Sequence, residues 1–203
     1  MKQPITIIDL IRHGEPVGGS GRYRGQIGDP LSEKGWRQMR EAVADHCPWQ
    51  AIVSSPLSRC AAFAAELGQR HDLPVSFDER LMEIGFGEWE GKTKDEISAH
   101  DPQALQNFYN DPIGFCPPGA EALADFEQRV TAAWQDLLQD CAGKHVLVVA
   151  HAGVIRMLVR HVLAAPLDSM FRIGVPNAGI SRFRVDGVAD QALTSLMFHN
   201  GQL

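Results

Sequence analysis

The chain has 203 residues, and 19 Lys and Arg stand against 25 Asp and Glu, a formal net charge of −6. With 44% hydrophobic and 22% charged residues it has the composition of a globular protein, neither disordered nor fibrous, and its length suits one domain over residues 1–203. The negative balance argues against a nucleic-acid-binding domain with a broad basic face, but leaves room for a local cationic pocket.

In chain order, Ile5–Ile11 is short, apolar and β-branched, and reads as a buried strand ending at Arg12, His13 and Gly14. Ser32 caps a helix expected to run to about Cys47, with Trp36, Met39 and Val43 at helical spacing. Ala51–Ser54 is a second strand, Leu57–His71 an alanine-rich helix, and Val75-Ser76-Phe77 an edge strand just after Pro74. Residues 81–91 have no clean period and are read as a loop carrying Glu83, Glu88 and Glu90. Thr93 and Glu96 form a capping box for a short helix to about His100, and Pro102–Asn110 is another. After a turn at Cys116–Gly119, Ala122–Cys141 is a long helix with Phe126, Val130 and Trp134 on one face. Val146–Ala150 is a third buried strand ending at His151, followed by a helix over Val154–Leu163. Ile180–Val185 and Ala192–His199 are strands separated by a turn at Asp186-Gly187. Alternating strands and helices imply an α/β fold with a mostly parallel sheet.

The longest clean apolar run near the end, Val146–Ala150, is far short of the ~20 residues that cross a bilayer. Met1-Lys2-Gln3-Pro4 and the apolar stretch broken at Asp9 do not make a signal peptide. Cys47, Cys60, Cys116 and Cys141 include no CxxC and no zinc spacing. The expectation is a reduced, cytoplasmic protein with neither membrane nor nucleic acid as partner; the sequence leaves a homodimer open.

In α/β sheets, ligands sit beyond the carboxyl ends of the strands. There the first strand delivers Arg12 and His13, the second Ser54, Ser55 and, one turn on, Arg59, and the third His151 with a helix N-terminus behind it. If these strands are neighbours, two guanidinium groups and two imidazoles converge where a helix dipole also favours an anion. Such a pocket suits a phosphoryl group, with a neutral imidazole as nucleophile and the arginines neutralising oxygen charge. A carboxylic acid must protonate the leaving oxygen; spacing alone does not choose among Glu83, Glu88 and Glu90. A lone histidine after a strand is more often structural, and His46, His71, His100, His145, His161 and His199 are read so. The four tryptophans are read as core or rim. Gly91-Lys92-Thr93 is rejected as a P-loop end because Phe86 stands where its first glycine belongs.

The chain resembles the histidine phosphatase superfamily, of phosphoglycerate-mutase-like fold, in five ordered motifs: LIRHGE at 10–15, DPLSEKG at 29–35, SSPLSR at 54–59, LMEIGFGEWEG at 81–91 and VVAHAGVIR at 148–156. The resemblance implies a three-layer α/β/α sandwich and a hydrolase of phosphoric monoesters that needs no metal or cofactor. It implies catalytic roles for His13 as phosphorylated nucleophile, Glu83 as proton donor and His151, with Arg12, Arg59 and the Ala152 N–H holding the phosphoryl group. Within the superfamily the likeness is nearest to the α-ribazole phosphatases of cobalamin synthesis, carried by Gly21-Arg22-Tyr23-Arg24-Gly25, the GEWEG loop, and Pro117-Pro118-Gly119 before a helix with Phe126 and Arg129. The substrate implied is a small phosphorylated metabolite such as α-ribazole 5′-phosphate, with Gly19, Arg22, Arg24 and Gly25 in its pocket. The sequence departs from the family in lacking an asparagine after Glu15, in reading Ala120-Glu121-Ala122 after Pro117-Pro118-Gly119, and in lacking a threonine after Arg59; the first two bear on the substrate rather than the reaction. Two other readings share these residues: a phosphoglycerate mutase, for whose lid segments the compact chain has little room, and a catalytically silent phosphate binder, against which both His13 and Glu83 are present.

Overall fold

A computed structural model describes residues 4–187 and 192–203; residues 1–3, at the start weighed above as a leader, and 188–191 lie outside it. Six strands, β1 (Ile5–Arg12), β2 (Ala51–Ser54), β3 (Val75–Phe77), β4 (His145–Ala150), β5 (Ile180–Asp186) and β6 (Leu193–Gly201), form one sheet in the order β3-β2-β4-β1-β5-β6. The pairings of β1 with β4, β4 with β2 and β2 with β3 are parallel, whereas β5 runs against both β1 and β6. The helices are α1 (Glu33–Val43), α2 (Ser58–His71), α3 (Lys94–His100), α4 (Ala104–Asn110), α5 (Leu123–Asp140) and α6 (Ala152–Val162).

Strand side chains alternate between faces, so each buried strand serves two cores. Ile8, Leu10, Val148 and Ala150 pack with Phe126, Val130 and Trp134 of α5 and with Val154, Ile155 and Leu158 of α6. Ile11, Ile52, Leu147 and Val149 face the other way, onto Met39 and Val43 of α1 and Phe63, Ala64 and Leu67 of α2. This is the α/β/α layering expected. A third cluster, built on Tyr23, Trp89, Ile97, Ala104 and Phe108, seats α3 and α4.

Several details differ from expectation. The first helix stops at Val43 instead of Cys47: Ala44 turns left-handed at φ 43° with its N–H on the Arg40 carbonyl, and the chain peels off toward Pro48 and buried Trp49. The last helix begins at Ala152, because His151 takes the extended N-cap conformation and its carbonyl accepts from Ile155. The 81–91 region is irregular, but it begins at the end of a 3-10 turn, Glu79–Leu81, and contains a second at Gly87–Trp89. Leu167–Arg172, which carries no clear periodic signal, forms a further 3-10 segment.

Candidate active site

Register brings the two histidines together. In the parallel pair, Arg12 lies opposite Ala150, so His13 and His151 leave the sheet side by side, and the His13 N–H donates to the Ala150 carbonyl at 3.0 Å. Their ring centroids lie 5.2 Å apart in an edge arrangement. On the far side of β4, Ser54 pairs with Val149, and the Ser55 Oγ reaches Nε2 of His151 at 2.8 Å. Gly14 belongs to the same construction. A Cβ there would collide with the Gly35 backbone at the start of α1, so only glycine lets the loop after His13 lie against that helix.

Nδ1 of His13 lies 2.7 Å from the Gly14 carbonyl oxygen. A carbonyl only accepts, so Nδ1 carries the proton and Nε2 holds a bare lone pair. Burial, then the charges of Arg59 and Arg12, push the His13 pKa well below the ordinary 6.5. His151 is fully buried and is lowered in the same way by burial and by Arg59 and His13. Both rings are therefore neutral near pH 7. Cys60, just after Arg59, packs its Sγ 3.6 Å from Nε2 of His151; burial pushes that thiol's pKa upward and keeps it protonated.

Arg59 is 1% exposed, and its Nη atoms donate to the carbonyls of Ile27 at 2.5 Å and Gly25 at 2.7 Å. Arg12 donates Nη1 to the Val175 carbonyl at 2.6 Å. The Nε of each guanidinium is buried with no protein partner. Burial lowers the Arg12 pKa to about 10 against the pull of Glu83, which still leaves it charged at neutral pH. The Glu83 carboxylate accepts from the Gly153 N–H in the first turn of α6, at 3.0 and 3.1 Å to its two oxygens, and from the Ile84 N–H at 3.1 Å. The Ala152 N–H, in the same first turn, has no intrahelical acceptor. Of the three glutamates in the 81–91 segment, Glu83 borders the site; Glu90 instead accepts from the N–H groups of Gln26 and Phe86.

These groups floor a cleft of about 420 Å³. Six cations border it (Arg12, Arg22, Arg24, Arg59, Lys94 and Arg156) against one carboxylate, Glu83, a local inversion of the chain's net −6. Arg22, Arg24 and Gly25 line it, whereas Gly19 does not: its carbonyl accepts from Arg24 Nη2 at 2.6 Å, which folds the loop back on itself. Arg24 is tied to Asp29 and the Val17 carbonyl as well, so it braces this loop. Sequence reasoning missed the opposite wall of Phe86, Tyr109 and Phe171, the last two brought from α4 and the 3-10 segment, with the Tyr109 and Tyr23 hydroxyls 2.7 Å apart. It also assigned no role to Arg129, whose guanidinium takes the carbonyls of Arg80, Met82 and Glu83 while pairing with Glu121. A lone arginine at mid-helix gives no local signal of that. Among the described residues, no group of three or more His, Cys, Asp or Glu is arranged to hold a metal, and no helix is long and apolar enough to cross a membrane.

The family model described as "Histidine phosphatase superfamily (branch 1)" matches residues 8–195, and the chain belongs to that family. A Mycobacterium tuberculosis protein named as bifunctional is 33% identical over 196 residues, covering 94% of this chain but 54% of the relative, so the chain spans about half of that protein's length. The adenosylcobalamin/α-ribazole phosphatase of Salmonella typhimurium is 28% identical over 171 residues, 82% of this chain and 84% of that one. The native structure of a mycobacterial glucosyl-3-phosphoglycerate phosphatase superposes with a TM-score of 0.84 at 28% identity, covering 97% of this chain and 99% of the other.

Proposed function

We propose that the chain is a metal-independent phosphomonoesterase that works through a phosphohistidine at His13. The observation that carries the reading is the fixed tautomer: Nδ1–H is bound to Gly14, and the lone pair of Nε2 is available beside Arg12, Arg59 and His151. Nε2 attacks phosphorus, the ester P–O bond breaks, and the Glu83 carboxyl gives its proton to the leaving oxygen. Water then attacks the phosphohistidine, Glu83 takes its proton, and the P–N bond breaks to release inorganic phosphate. Arg12, Arg59, His151 and the Ala152 N–H hold the equatorial oxygens, supplying charge neutralisation that other phosphoryl-transfer sites draw from a metal.

The substrate is a small phosphorylated metabolite, and α-ribazole 5′-phosphate is the finer candidate, supported by the Gly21–Gly25 motif and by the 28% identity to the Salmonella enzyme. Four free cysteines fit action in a reducing cytoplasm. Purified protein should hydrolyse p-nitrophenyl phosphate in excess chelator and yield an acid-labile, base-stable phosphoprotein on brief exposure; His13→Ala should lower turnover by at least ~10³-fold and abolish the trapped species. Turnover that survives in His13→Ala sinks the reading. A panel containing α-ribazole 5′-phosphate, glucosyl-3-phosphoglycerate, and 3-phosphoglycerate with a bisphosphate primer then ranks substrates and separates phosphatase from mutase.

A further inference from the structure

The segment from Ile173 to Asn177 has no ladder of its own, yet three successive carbonyls in it are each taken by a side chain from a different element. The Ile173 carbonyl accepts from Nε of Arg156 on α6 at 2.8 Å. The Gly174 carbonyl accepts from Nε2 of His199 at 2.6 Å and Nδ2 of Asn200 at 2.8 Å, both at the end of β6. The Val175 carbonyl accepts from Nη1 of Arg12 at 2.6 Å. In extended backbone, successive carbonyls face opposite ways. The carbonyls at 173 and 175 thus meet the two cleft arginines, while the one at 174 is gripped from the C-terminal strand.

The grip is directional at both ends. Because a carbonyl only accepts, His199 carries its proton on Nε2, and its Nδ1 must then accept from the buried Ser181 hydroxyl, 2.7 Å away on β5. Asn200 sits at φ 54°, a left-handed backbone that asparagine tolerates better than most residues, and there its amide lies on the same carbonyl. A Cβ on Gly174 would stand in open space, with no atom beyond its chain neighbours within 4 Å. Val175 is anchored in the core, so the peptide between the two arginine-binding carbonyls is oriented by hydrogen bonds and not by packing at Gly174.

We infer that His199 and Asn200 are positioning residues for the phosphoryl site: by fixing the Gly174 carbonyl they set the adjacent Val175 carbonyl and, through it, the Arg12 guanidinium. The inference rests on the phosphatase reading for what Arg12 binds. Among the described residues the Arg12 guanidinium has no other hydrogen-bond partner, so its aim depends on this one acceptor. A turned Val175 peptide releases Arg12 from the anion while His13, Glu83 and His151 stay in place.

The test is inhibition by inorganic phosphate and the kinetics of p-nitrophenyl phosphate hydrolysis in His199→Ala, Asn200→Ala, the double variant and His199→Gln, each checked for folding by its thermal melt. The expected result is a rise of about tenfold in both the phosphate Ki and KM for the double variant, a smaller change in kcat, and partial rescue by His199→Gln, which keeps an N–H donor. In an Arg12→Ala background the same substitutions should change Ki less than twofold, because the group they position is gone. A folded double variant with wild-type Ki, or one whose effect is equally large without Arg12, overturns the inference. Should His199→Ala fail to fold, Asn200→Ala and His199→Gln decide in its place, read in the same two backgrounds. Failure of the phosphatase reading looks different: the unsubstituted protein would neither hydrolyse the ester nor bind phosphate.

Discussion

At the scale of single residues, the chemistry rests on protons whose positions the neighbours dictate. The His13 tautomer follows from one carbonyl and the neutrality of both rings from burial among guanidinium groups. Removing the proposed acid tests the division of labour. Glu83→Gln should slow hydrolysis of an alkyl phosphate by 10²–10⁴-fold (an order-of-magnitude range), but p-nitrophenyl phosphate far less, because a stable phenolate leaves without a proton. Equal losses on both esters would remove Glu83 from the acid role. The histidines also make a stability prediction. Their folded pKa values lie below the unfolded value near 6.5, so the unfolded chain binds more protons in acid. Their contribution is complete above pH ~6.5 and is lost as pH falls below it toward the folded values, by about 1.4 kcal/mol per pH unit for each ring. Urea melts between pH 7 and 5 should show midpoints that drop with acidity, with a shallower drop in His151→Gln if that variant folds.

At the scale of elements, the site is a meeting of strand ends and one helix start. The first turn of α6 leaves N–H groups without intrahelical acceptors, and the protein gives one of them, on Gly153, to Glu83. The approach is so close that a Cβ on Gly153 would run into the Glu83 carboxylate. Gly153→Ala should therefore displace the proposed acid and cut kcat on an alkyl phosphate by on the order of tenfold or more, with little change in the phosphate Ki. Wild-type kcat in that variant would mean that Glu83 tolerates the shift. The elements themselves were largely legible, because amphipathic spacing, the Ser32 cap and the Thr93 capping box are local signals. The end of α1 was not, since only the destination of Trp49, beside Asp9, explains why the chain leaves the helix at Ala44. Leu167–Arg172 was missed because its Phe171 is buttressed by aromatic residues of α4, more than fifty positions earlier.

At the scale of the whole molecule, the sheet is pinned across β5, β1 and β4 by one buried carboxylate. Asp9 is fully buried and accepts from Trp49, His145 and Arg182. Burial alone would raise its pKa; the hydrogen bonds from His145, Arg182 and Trp49 outweigh that and hold it below the ordinary carboxylate value. Asp9→Ala orphans those three donors and should destabilise the fold by about 3 kcal/mol, roughly 6–12 °C in Tm for a chain of this size, with kcat below the transition changed less than twofold. A Tm within ~2 °C of wild type would show that water replaces the carboxylate at little cost.

By itself the sequence determined the buried strands, the helices and the set of groups able to handle a phosphoryl ester, because hydrophobic period, capping chemistry and side-chain type are properties of short stretches. It held both histidines, both arginines and Glu83. Tertiary structure decided that β4 lies between β1 and β2 with Arg12 opposite Ala150, which of three glutamates meets α6, and which aromatic residues wall the cleft. Backbone hydrogen bonds are alike at every residue, so a strand's neighbour and its register are set only when both faces of the sheet are buried at once, and no local segment contains that condition.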